Sequence, residues 1–164
     1  MIHRIRHAAV AAVALVALAV AAAQPATAHD DVGAVTHLMM ATFDKPETPL
    51  AVSPVVVEGD FAVAGWTQDG RGGRALLKRK GHDWALHLCA GDALKDATAL
   101  RQMGIPAADA DALAADLAAA EAKEDPARVA LFATFEGVVE MNADGGHPDH
   151  AGHDAHAGHT DHAN

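Results

Sequence analysis

Four short runs rich in β-branched, aromatic or alternating residues follow one another with only turn-forming residues between them: Val52 to Glu58, Phe61 to Thr67, Arg74 to Arg79 and Trp84 to Cys89. Gly59-Asp60, Asp69-Gly70-Arg71-Gly72-Gly73 and Lys80-Gly81-His82-Asp83 have the composition of hairpin turns. Gaps this short cannot hold the crossover that parallel strands need, so the runs predict an antiparallel meander. In the last run, simple alternation puts Trp84, Leu86 and Leu88 on one face and His87 with Cys89 on the other.

Helical patterns flank the meander. Val32, Val35, Met39 and Phe43 recur at helical spacing behind Asp30 and Asp31, which predicts a first helix from Asp30 to Phe43. The segment Lys45-Pro46-Glu47-Thr48-Pro49 breaks it. After the strands, Asp92 is placed to cap a helix from Ala93 to Met103, with Gly104 ending it and Pro106 opening another that reaches about Lys123. Asp125-Pro126 repeats the start signal for a shorter helix burying Val129, Phe132 and Phe135, although Val129 to Phe135 also reads as a strand, since short apolar runs fit both periods. An extended piece, Val138 to Met141, closes the domain. The fold class expected is α+β: an N-terminal helix, a meander sheet of about four strands, two or three helices, a short final strand and a disordered tail.

Both ends of the chain differ in character from this core. Arg4 and Arg6, an apolar run of 16 residues from Ala8 to Ala23, and Ala26-Thr27-Ala28 follow the three-part plan of a cleaved secretory signal over residues 1–28. The run falls short of the ~20 residues of a spanning helix, so no stable membrane insertion is expected after cleavage, and the expected location is the periplasm. Residues 29–141 then form a single α+β domain. Loss of the leader, which carries two basic residues and no acidic one, takes the net charge from -10 to -12. That charge excludes nucleic acid as a partner and favours cations. Cys89 is the only cysteine, so the fold holds by packing without an internal disulfide. Its thiol reads either as a buried small hydrophobe or as a soft ligand.

From Asn142 to the end there is no Val, Ile, Leu, Met or aromatic residue, and residues 142–164 cannot bury enough apolar surface to fold unaided. Within them His147, His150, His153, His156, His159 and His162 stand at an unbroken spacing of three, with Asp149, Asp154 and Asp161 between. Imidazole suits copper, zinc and nickel, and the carboxylates raise the local cation concentration. Three residues of extended chain rise ~9 Å, too far for neighbouring histidines to share an ion, so the tail must turn at its glycines to bind. Three further candidates lie in the domain. Cleavage after Ala28 leaves His29 to offer its α-amine and imidazole to copper(II). His37 and Met40 stand three apart on a helix face, and soft thioethers select copper(I), while Met39 falls on the core stripe as well. His87 and Cys89 form the last pair. No Ser-His-Asp order, phosphate-binding glycine loop, His-Glu-x-x-His helix or Cys-x-x-Cys pair is present, and no catalytic residue is identified.

The segments H-L-M-M-A-T-F-D-K-P from His37, V-V-V-E-G-D-F-A-V-A-G-W-T from Val55, G-G-R-A-L-L-K-R from Gly72 and L-C-A-G-D-A-L from Leu88 resemble the small exported bacterial proteins called copper uptake system-associated proteins. The resemblance runs from about Ala34 to Met141 and leaves the histidine tail outside. It implies a periplasmic role in copper acquisition or homeostasis beside copper chaperones or a copper-uptake component, and it strengthens His37, Met39, Met40 and Cys89 as copper candidates. It supplies no catalytic residues.

The expected function is therefore that of a periplasmic copper-binding accessory protein, not an enzyme, whose tail captures metal. Two alternatives stand beside it: a docking or assembly module of a copper-uptake system with the tail as metal buffer, and a small cone-fold isomerase-like enzyme with its pocket between helix and sheet. Fold analogy alone is weak warrant for the last.

Overall fold

The architecture is that of a computed structural model describing residues 27–141, with side chains from Asp30 onward. Residues 1–26 of the leader-like segment and the histidine tail lie outside the described residues, and Thr27 and Ala28 fall within the first helix. Helix α1 (Thr27–Phe43) precedes strands β1 (Ala51–Glu58), β2 (Phe61–Gln68), β3 (Arg71–Lys80) and β4 (Asp83–Ala90). A 3₁₀ turn (Asp92–Lys95), helices α2 (Ala97–Gln102), α3 (Ala107–Glu121) and α4 (Pro126–Phe132), and strand β5 (Val138–Glu140) complete the chain. The five strands lie in the order β1-β2-β3-β4-β5, each antiparallel to its neighbour.

The sheet is covered on both faces. Val35 and Met39 of α1 pack on Ala62, Ala64, Ala75, Leu77, Trp84, Leu86 and Cys89. On the other face Val56, Val63, Leu76 and Leu88 meet Leu100, Leu113 and Leu117 from α2 and α3. The swap at consecutive positions, Leu76 to one side and Leu77 to the other, is the period of two of a strand buried on both faces. A buried ion pair crosses from sheet to helix: Arg74 donates through Nε and Nη2 to the two carboxylate oxygens of Glu121 at 2.6 and 2.9 Å, and its guanidinium lies 5.3 Å from the Phe132 ring centre. On the opposite face Asp31 accepts from Arg79 Nη2 at 2.7 Å and from Trp84 Nε1 at 3.2 Å, which pins the start of α1 to the sheet. The Arg79 hydrogen bond is the main reason that the Asp31 carboxyl is held below its ordinary range.

Three expectations are corrected by this geometry. The turn between β2 and β3 is only Asp69-Gly70, both with positive φ (49° and 69°), and Gln68 pairs directly with Arg71. Such a two-residue turn matches the twist of its strands. Gly72 and Gly73 belong to β3, where they permit close approach: a Cβ on Gly73 would stand 2.8 Å from Trp66 Cζ2 and 3.0 Å from Phe135 Cβ. Second, the helix expected from Ala93 to Met103 is split, because the Asp92 carboxylate is taken by Arg74 at 3.1 Å. Asp96 does the capping instead, accepting from the Ala99 N–H at 2.7 Å. The segment left open as helix or strand is helix α4, capped by Asp125.

The third correction concerns β4. Leu76 pairs with Leu88 while Leu77 pairs with Leu86, so His87 is an extra residue, a β-bulge. The bulge reverses the alternation after it. Trp84 and Leu86 face α1, Leu88 faces α2 and α3, and Cys89 faces α1 again. His87 and Cys89 therefore do not share a face.

Candidate metal cavity

Between α1 and the sheet, toward the β4–β5 edge, lies a cavity of about 200 Å³. Helix α1 contributes Met39 and Phe43, β2 contributes Trp66 and Gln68, β4 contributes Cys89, and the segment through β5 contributes Phe135, Val139 and Met141; Leu50 completes the wall. The strands explain this convergence. Cys89 pairs with Val139, so the alternation of β5 points Val139 and Met141 toward the α1 face beside Cys89, while Val138 and Glu140 line a different groove. Phe135 stands edge-on to Trp66, with ring centres 5.9 Å apart. The wall is braced by Gln68, whose Nε2 donates to the carbonyls of Phe43 at 2.8 Å and Thr48 at 2.7 Å. The Trp66 Nε1 atom is buried without a hydrogen-bond partner.

Sulfur dominates the chemistry of this cavity. Apart from Met1 the chain has five sulfur-bearing residues, and three of them, Met39, Cys89 and Met141, line it. Cys89 is 3 % exposed, and burial pushes its thiol up to about 12. The proton therefore stays on sulfur at neutral pH. It can leave only if a partner binds the thiolate strongly.

The sequence candidates are distributed unequally. Met39 and Cys89 come together at the cavity wall. Met40 is half-buried against the same core without lining the cavity, and His37 is exposed on α1. His29 falls within α1 by its backbone, its side chain lying outside the described residues, as do His147, His150, His153, His156, His159 and His162. His87 lines the groove on the far side of β5. Met141 and Trp66 were not anticipated as site residues, although the alternation of Val139 and Met141 opposite Cys89 is the signal that locates the first.

Among the described residues no group of three or more His, Cys, Asp or Glu side chains could hold a metal ion, so any ion in this cavity depends on thioethers. Nor is any described helix long and apolar enough to cross a membrane. Compared with protein-family models, with characterised proteins and with solved structures, the chain matches none.

Proposed function

We propose that this chain is an exported copper-handling protein whose domain holds copper(I) at Met39, Cys89 and Met141 and whose histidine tail gathers the metal. The observation that carries the reading is the convergence of two thioethers and one thiol, from three separate elements, on one apolar cavity. Soft sulfur ligands select copper(I) over hard and borderline ions. On binding, the copper–sulfur bond forms at Cys89 as the S–H bond breaks, and the proton leaves to solvent. Membership of the copper uptake system-associated family, implied by the motifs around His37, Val55, Gly72 and Leu88, is part of the same proposal, as is a periplasmic location. Acid–base catalysis gains little support from this cavity, since Cys89 is its one titratable lining side chain and burial raises that thiol to about 12, far above the physiological range.

The test is an anaerobic copper(I) titration against a competing chelator, using the full chain with its six tail histidines changed to asparagine. The domain site should remain, should weaken at least tenfold in Met39→Leu, and should be lost in Cys89→Ser. Copper(I) affinity unchanged in both variants would show the cavity to be packing alone.

A further inference from the structure

The Trp66 indole is a polar feature of the sulfur cavity that the proposed copper(I) site leaves unused. It reaches from β2 over β3: a Cβ on Gly73 would stand 2.8 Å from its Cζ2 and 3.0 Å from its Cε2, the atom bonded to Nε1. Glycine at that position makes room for the ring, and Phe135 meets the ring edge-on. Nε1 is buried, and among the described residues nothing accepts its proton. A buried donor without an acceptor bears the full cost of its desolvation. In a cavity wall, such a donor marks a place for an acceptor from outside the chain.

The cavity's own polar groups do not supply that acceptor. Cys89 pairs with Ala75, two residues from Gly73, so Cys89 and the residue under the indole edge occupy diagonal positions on adjacent strands, about 7–8 Å apart. A trapped water needs two or more polar partners, and one water does not span that distance. Gln68 spends its Nε2 on the carbonyls of Phe43 and Thr48. The space is large enough for an organic molecule: its volume is about 200 Å³, and an apolar protein cavity of about 150 Å³ already takes benzene. A single ion would fill little of it. Met39 and Cys89 are buried, whereas Phe43, Trp66, Phe135 and Met141 are half-buried and form a rim toward solvent. None of the lining residues is Asp, Glu, Lys, Arg or His, so an ionic ligand would enter without a counter-charge.

We infer that the cavity binds a small neutral ring compound carrying one carbonyl oxygen, with Trp66 Nε1 donating to that oxygen and the aromatic and thioether walls holding the ring. The probe is cyclohexanone, with methylcyclohexane as its hydrocarbon counterpart, added to the metal-free full chain while the indole N–H signals are followed by NMR. Trp84, whose Nε1 donates to Asp31, is the internal reference. Cyclohexanone should move the Trp66 N–H signal downfield along a saturable curve and leave that of Trp84 in place. In Trp66→Phe the ratio of ketone to hydrocarbon affinity, read from the methyl signals of Met39 and Met141, should fall about three- to tenfold, the worth of one neutral hydrogen bond. Val139→Phe, which fills the space from β5, should abolish the Trp66 response and serves as the test should Trp66→Phe unfold the domain. A Trp66 signal that ignores cyclohexanone, a response that survives Val139→Phe, or an affinity ratio unchanged in Trp66→Phe overturns the inference. No copper is present in these measurements, so the copper(I) proposal stands or falls separately, by its own chelator competition.

Discussion

Between pH 6 and pH 9 the affinity of the cavity for copper(I) is expected to rise by about a thousandfold, about tenfold for each pH unit. The reason lies in Cys89. Burial raises its thiol to about 12, so throughout this range the free protein carries the proton and the copper-bound protein does not. One proton is released per ion, and mass action gives a slope of one. Removing that proton at pH 7 costs about 7 kcal/mol, five pH units at 1.36 kcal/mol each, which the copper–thiolate bond must exceed. A solvent-exposed thiol would instead level off near its ordinary value of about 8.5, and imidazole sites near about 6.5. The assay is chelator competition at half-unit steps of pH on the tail-substituted full chain, with Cys89→Ser beside it. A flat profile between pH 7.5 and pH 9, or a slope that survives Cys89→Ser, would refute thiolate ligation.

Three further outcomes concern the scaffold. Arg74→Met should cost about 3–5 kcal/mol in urea denaturation, because it leaves Glu121, at 6 % exposure, with only the half-exposed Lys95 ammonium at 3.9 Å as a counter-charge; adding Glu121→Leu should recover much of the loss. Gly91→Ala should cost about 1–3 kcal/mol, since a Cβ there would lie 2.5 Å from the Phe135 carbonyl oxygen, and the displaced Phe135 should alter Trp66 fluorescence. Acid titration should reveal Asp31: its folded carboxyl ionises more readily than the unfolded value of 3.8, so its contribution is complete above that value and is lost as pH falls through the folded one. Asp31→Asn should therefore be less stable than the parent at neutral pH and converge with it in strong acid.

The meander was legible because its turns are spelled in Gly and Asp, its first two strands in β-branched and aromatic residues and its last two in alternating or apolar runs between those turns, and α3 and α4 because Pro106 and Asp125-Pro126 announce them. What stayed hidden has a physical cause in each case. The bulge at His87 leaves no mark in Trp84-Ala85-Leu86-His87-Leu88-Cys89, since Leu88, Cys89 and Ala90 are all apolar and either face accepts them. The role of Gly72 and Gly73 depends on Trp66 and Phe135 arriving from elsewhere in the chain. Asp92 looks like a cap until Arg74, far away in sequence, claims it. For the site, Met39 was visible both as core and as candidate ligand, and the two are compatible: it is 1 % exposed and also lines the cavity together with Cys89.

Charge then bears on which ion the proposed cavity site would take. The cavity holds one group able to ionise, Cys89, and its thioethers are neutral, so a monovalent ion with one thiolate leaves no net charge in an apolar space. A divalent ion there would leave an uncompensated positive charge, whose desolvation costs several kcal/mol. The groove across β5 is open and carries the Glu140 carboxylate. Burial protects the thiol as well as tuning it. Reactive thiols are exposed and low in pKa, whereas Cys89 is neither, and with no second cysteine in the chain it has no internal disulfide partner. Alternating residues of one three-residue strand and the methionine after it thus face two environments, Val139 and Met141 toward the sulfur-lined cavity and Val138 and Glu140 toward the open groove on the other side.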